Sequence, residues 1–255
     1  MGPLFFFFLQ FTRLSAVVFL VKLIYADCMN RHQKIAALKK LYQIHDTFAA
    51  ETDGACEKGC ADCCTVNVTA TSVEGLLVIQ YLSEKKGEKI FDPGSFDFEK
   101  KRFQPKITSN QMAALCEAGR EIPEEEPDPS WGKCPLLKDD LCPVYPVRPF
   151  ACRNMSSTEK CRENGHAVMD PFSVTVSLVF LQCVEHLDAG GFSGNLMDIL
   201  VFMEKNENRQ KYDAGDARLE GAALIRNMPA KKILVPPERR ERIKPLFDEI
   251  TSALS

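Results

Sequence analysis

Two runs of cysteine constrain how this chain can fold. The first, "CEKGCADCC" at residues 56–64, holds Cys56, Cys60, Cys63 and Cys64; the second spreads Cys134, Cys142, Cys152 and Cys161 through a proline-rich stretch opening "CPLLKDDLCPVYPVRPFACR". Thiols two or three residues apart on a short loop are gathered at little entropic cost, and they are soft donors for a metal ion. Zinc takes four thiolates as a tetrahedron and iron–sulfur clusters take thiolates too, so the spacing points to metal without choosing between zinc and iron. Cys63 and Cys64 are adjacent, and adjacent side chains in extended backbone face opposite ways, which makes both awkward on one ion. The eight thiols make two four-thiolate sites, or one cluster and a free redox-active pair; spacing leaves that open.

The second run offers more than sulfur. Pro143, Pro146 and Pro149 stiffen it and remove backbone donors where turns are needed. Arg148 and Arg153 are placed to lower thiol pKa values and to offset the negative charge of a thiolate site, the plainer alternative being surface ion pairs. The pattern CxxxCxxCC, then "CPLL", "LCPVYPVRPFACR" and a late cysteine, resembles a cysteine-cluster family of zinc- or iron-chelating proteins, with bacterial members of the YkgJ type. Tyr145, Arg148-Pro149 and Cys152-Arg153 carry the likeness along with the cysteines. It implies Cys56, Cys60, Cys63, Cys64, Cys134, Cys142 and Cys152 as the ligand set, with Cys161 as an eighth, and implies metal chelation and little about a reaction. Leu141 departs from the glycine common at that place in the family, which bears on loop shape.

Other readings compete. Cys56, Cys60 and Cys63 spell C-x3-C-x2-C, the spacing by which radical-SAM enzymes hold a four-iron cluster, and a related pattern resembles that of flagellin lysine methylases. A modification enzyme is therefore an alternative, although Asp62 stands where an aromatic is usual and no βα repeat follows. The histidines give catalysis little support. His32, His45 and His186 are expected on helix surfaces, and His166 is a weak substitute ligand. Cys116 and Cys183 are expected to pack as small apolar residues. A secreted, disulfide-bonded protein is a further alternative.

The chain of 255 residues is 45% hydrophobic and 26% charged, with 32 basic against 35 acidic residues, and nothing in that balance forecasts nucleic acid. Its opening, residues 1–28, is apolar but broken by Arg13 and Lys22, so it fits neither a secretory signal nor a good spanning helix. It is read as an N-terminal extension, either a start-site over-call before Met29 or an anchor. A cytoplasmic location follows from the first reading and a membrane-anchored one from the second. Residues 29–205 are expected to form the cysteine-cluster domain and 206–255 a C-terminal helical extension.

The fold class expected is mainly α, a small helical domain carrying two cysteine-rich loops. Ile35, Leu38, Tyr42, Phe48 and Ala49 share a helix face between Asn30 and Thr52. Thr71 with Glu74, and Thr108 with Gln111, form capping boxes that open two more helices. "DPFSVTVSLVFLQCVEHLDAGG" reads as a buried helix whose β-branched start also suits a strand, "GNLMDILVFMEKN" as another helix, and "PPERRERIKPLFDEITSAL" as a last one interrupted by Pro245. The acidic stretch "EIPEEEPDPSWG" is expected as exposed loop.

Overall fold

The computed structural model describes residues 17–20, 29–52, 54–57, 59–85, 97, 99–215 and 223–254. The other residues, including most of the apolar N-terminal extension and Gly87, where the sequence pattern that opens at Thr71 is expected to end its helix, lie outside the described residues.

In chain order the elements are β1 (Val17–Leu20), α1 (Arg31–Ala50), β2 (Thr69–Thr71), α2 (Ser72–Glu84) and α3 (Ser109–Glu117), then two single-turn helices, α4 (Phe150–Arg153) and α5 (Cys161–Asn164). They are followed by α6 (Pro171–Leu187), β3 (Phe192–Asn195), α7 (Leu196–Glu204), α8 (Asn206–Asp213), β4 (Ile225–Arg226), β5 (Lys232–Val235) and α9 (Arg240–Leu254). The architecture is mainly α, with a three-stranded antiparallel sheet in the order β2-β3-β4 and a separate antiparallel pair, β1-β5.

Local sequence starts the long helices. Asn30 with Gln33, Thr71 with Glu74 and Thr108 with Gln111 each form a complete capping box, which satisfies amides that a helix N-terminus otherwise leaves unpaired. Asp170 caps α6 by accepting from the amides of Phe172 and Ser173, and the segment is helical from Pro171 onward, so its β-branched start makes no strand. Pro245 does not interrupt α9. Its ring removes one backbone hydrogen bond near the helix start, while Ile243, Phe247, Ile250 and Leu254, spaced four, three and four residues apart, bury a continuous apolar stripe that holds the helix on the core.

A large buried cluster joins many of these elements. Leu38 and Leu41 of α1, Val73 and Leu77 of α2, Val176, Phe180 and Cys183 of α6, Ile199 of α7, Ile233 of β5 and Ile243 of α9 belong to the same buried cluster. Cys183 packs there as expected, whereas Cys116 on α3 is only half-buried. The residues expected as a C-terminal extension share the core with the rest.

Helix α6 also carries a polar ridge that pins the C-terminal segment. The Gln182 side chain accepts from the Leu234 amide at 2.8 Å and donates to the Leu234 carbonyl at 3.2 Å, on the edge of β5 away from β1. Glu185 accepts from the amides of Asn110 and Met228, and His186 Nδ1 accepts from the Ala230 amide at 3.0 Å, so His186 is tied into the fold rather than standing free on a helix surface. Asp188, fully buried, accepts from Ser72 Oγ, the Val73 amide, Tyr212 Oη and Asn227 Nδ2. Among the described residues no helix is long and apolar enough to cross a membrane.

Candidate functional site

The two cysteine runs, far apart in sequence, lie against each other. The Cys134 amide donates to the Cys64 carbonyl at 2.9 Å, the Val66 amide to the Gly132 carbonyl at 2.9 Å, and Thr65 forms an antiparallel bridge with Lys133. On the other side of the first loop the Ala55 amide donates to the Ser157 carbonyl at 2.7 Å, and Arg162 pairs with Asp62 at 3.2 Å. Gly59 adopts a φ of +89°, so the first loop uses the conformational freedom its glycine provides.

The second loop is built from turns. Lys138 and Leu141 exchange backbone hydrogen bonds at 3.0 and 2.8 Å across Asp139 and Asp140, whose φ values of 49° and 58° match the tight primed turn that suits a hairpin. The positive backbone angles thus fall on the two aspartates, and Leu141, 52% exposed, needs no glycine. On either side lie two Cys-Pro turns. In the first the Leu137 amide donates to the Cys134 carbonyl at 3.1 Å, and in the second the Tyr145 amide donates to the Cys142 carbonyl at 3.2 Å. Nearby amides also draw the two thiols' pKa values down, though burial outweighs them.

Helix α4 delivers Cys152 to this loop, and a buried network fixes α4. Glu74, 3% exposed, accepts from the Tyr42 hydroxyl at 2.8 Å and from the Phe150 amide at 2.6 Å while its other oxygen completes the Thr71 cap. Arg153 stacks on the Tyr42 ring at 4.2 Å, grips both oxygens of Asp46 through Nη1 and donates to the Pro146 carbonyl at 2.9 Å. It is 6% exposed, which rules out the surface ion pair. Arg148 lies over the Tyr145 ring at 3.9 Å and close enough to Cys142 and Cys152 to draw their pKa values down.

The thiols sense one another. Burial raises the Cys152 thiol well above its usual range, and Cys134, Cys142 and Cys63 raise it further. Burial pushes Cys134 up to about 11 and also raises Cys142. Cys63 is raised first by a hydrogen bond with Cys64 and then by burial. Cys56 is exposed as a residue, yet partial shielding of its thiol raises it, and Cys63, Cys161 and Cys60 add to the effect. All eight are free thiols, as are Cys116 and Cys183. Among the described residues, no three His, Cys, Asp or Glu side chains stand close enough together to hold a metal ion in this conformation.

Unspent polar capacity lies beneath the loops. Among the described residues, Asn154, 2% exposed and next to Arg153, has no hydrogen-bond partner on either side-chain atom, and neither Arg153 Nε nor His45 Nδ1 has one. His45 is a correction to the sequence reading: it is 4% exposed, edge-on to Phe150 and Phe180, because α1 is covered on that side by α4 and α6. His32 is exposed as expected, and His166 stands in the exposed stretch after α5. Tyr42, Asp46 and Glu74 support the site, although their sequence signals were only those of a core position, an exposed helix position and a cap.

The chain matches no family model, no curated protein and no solved structure.

Proposed function

We propose that the chain is a metal-chelating protein of the cysteine-cluster kind it resembles, taking zinc or iron on thiolates of the loops around Cys56–Cys64 and Cys134–Cys161. The observation that carries this reading is the docking of the two cysteine loops, in which the Cys134 amide donates to the Cys64 carbonyl and Thr65 bridges Lys133, bringing free thiols from both runs together. Backbone amides near the sulfurs of Cys134 and Cys142 oppose the rise that burial imposes on those thiols. Unpaired thiols on two docked loops, arginines beside them and a buried, unpartnered Asn154 amide all suit a negatively charged centre. Zinc there supplies a redox-inert cross-link between the loops, whereas iron supplies an electron-transfer centre. Arg148 and Arg153 act as supports, Arg148 by charge and Arg153 by fixing α4. A reducing compartment such as the cytoplasm keeps such thiols available.

Anaerobic purification with elemental analysis and an absorption spectrum tests this. Stoichiometric zinc in colourless protein, or iron with labile sulfide in brown protein, is expected. Cys60→Ser and Cys142→Ser are each expected to lose metal and stability, by roughly several kcal/mol, because metal-binding energy is also folding energy. Metal-free wild-type protein with paired disulfides overturns the proposal.

A further inference from the structure

Strand β5 pairs with β1 along one edge, and on the other edge Gln182 takes the amide and the carbonyl of Leu234. Backbone groups of alternate strand residues share an edge, so the amide and carbonyl of Lys232 face the same way as those of Leu234. Among the described residues neither has a hydrogen-bond partner. Lys232 lines a groove of about 140 Å³ between α3 and residues 228–232, whose α3 wall is formed by the small side chains of Ala113 and Ala114. Asn110, one turn earlier on α3, lines the groove as well and is 2% exposed. Its Nδ2 donates to the carbonyls of Met228 and Gln182, whereas its Oδ1 accepts from nothing among the described residues. A buried carbonyl oxygen without a donor is costly, so a donor arriving from outside the chain is favoured there. Lys232 Nζ donates to Glu117 on α3, and the exposed Lys231 stands next to it, which makes the strand side of the rim cationic.

We propose that this groove binds an extended peptide segment of another protein, one that alternates apolar and acidic side chains. The segment pairs its own carbonyl and amide with the amide and carbonyl of Lys232, as in strand addition at an open sheet edge, and gives a further backbone N–H to Asn110 Oδ1. The two-residue period of an extended chain then sets its apolar side chains against Ala113 and Ala114 and its carboxylates toward Lys231 and Lys232. Gln182 closes the edge at Leu234, so the pairing is short, which suits a peptide better than the full strand of a neighbouring sheet. None of the residues lining the groove belongs to either cysteine loop, so the proposal stands apart from the metal-chelating reading.

Titration of the isotope-labelled full-length chain with the peptide acetyl-Val-Asp-Val-Asp-amide, followed by NMR, tests this. Saturable shifts are expected at the Lys232 backbone amide and the Asn110 side-chain amide. The same peptide with an N-methylated backbone, which cannot donate, is expected to bind about tenfold more weakly or worse, as is acetyl-Val-Lys-Val-Lys-amide. Ala113→Leu, which fills the groove, is expected to weaken binding by about tenfold, and the exposed change Lys231→Glu to narrow or reverse the preference for the acidic peptide. Folded wild type without saturable shifts, equal binding of the N-methylated peptide, or full affinity in Ala113→Leu overturns the proposal. Concentration-dependent dimerisation that displaces the peptide also overturns it, because a second copy of the chain is then the occupant.

Discussion

Asp188 and His45 are both buried and ionisable, and their pKa values move in opposite directions. Burial raises Asp188 to about 6, against hydrogen bonds from Ser72 and Tyr212 and the nearby Lys34 ammonium. A carboxyl with a raised native pKa contributes its full stability below the unfolded value near 4 and loses it as pH climbs through 6, a change of about 3 kcal/mol. Burial lowers His45 to about 4, opposed by Asp46 and assisted by Arg153 and Arg148. Its contribution is complete above the unfolded value near 6.5 and is lost as pH falls through 4, again about 3 kcal/mol. Over the shared window the two contributions offset each other. Denaturant unfolding at several pH values between 4 and 6.5 is expected to show a nearly level wild type, an Asp188→Asn variant that gains stability with rising pH, and a His45→Gln variant that loses it. If both variants keep the wild-type slope, neither group titrates as its surroundings dictate.

Between elements, α2 and α7 approach each other closely at Gly75. A Cβ added at Gly75 would stand 2.4 Å from Ile199 Cγ2, so Gly75→Ala is expected to destabilise by about 2 kcal/mol despite alanine's better helix propensity. Combining it with Ile199→Ala is expected to cost less than the two single changes added together, because the space each disturbs is shared. Thermal unfolding of the three variants checks this, and simple additivity counts against it. The long helices were legible in the sequence through caps and apolar spacing, down to Thr71, Thr108 and Asp170. The strands were not. Thr69–Thr71 and Ile225–Arg226 are too short for alternation to register, and "FSGN" at residues 192–195 alternates nothing. They exist because tertiary contacts bring the segments together. His45 was misplaced for a related reason, since a helix in sequence does not announce which other helix will cover its second face.

For the molecule as a whole, the cysteines of the candidate site were legible, and so were the arginines beside them. The framework that brings the loops together was not. Glu74 reads in sequence as a cap, yet it also takes the Phe150 amide that starts α4, and Asp46 reads as an exposed helix position until Arg153 arrives from 107 residues away. Long-range pairing of this kind leaves no local pattern. Gln182 gives another instance, and its role extends beyond the single chain. An open strand edge is a template on which a second molecule can add. By filling the amide and carbonyl of Leu234, the Gln182 carboxamide plugs that edge of β5 with a side chain in place of a strand. Gln182→Ala is therefore expected to raise concentration-dependent association above wild type in light scattering, and an unchanged profile counts against it. One amide group, in that sense, occupies the place on this small sheet's edge that another strand would take.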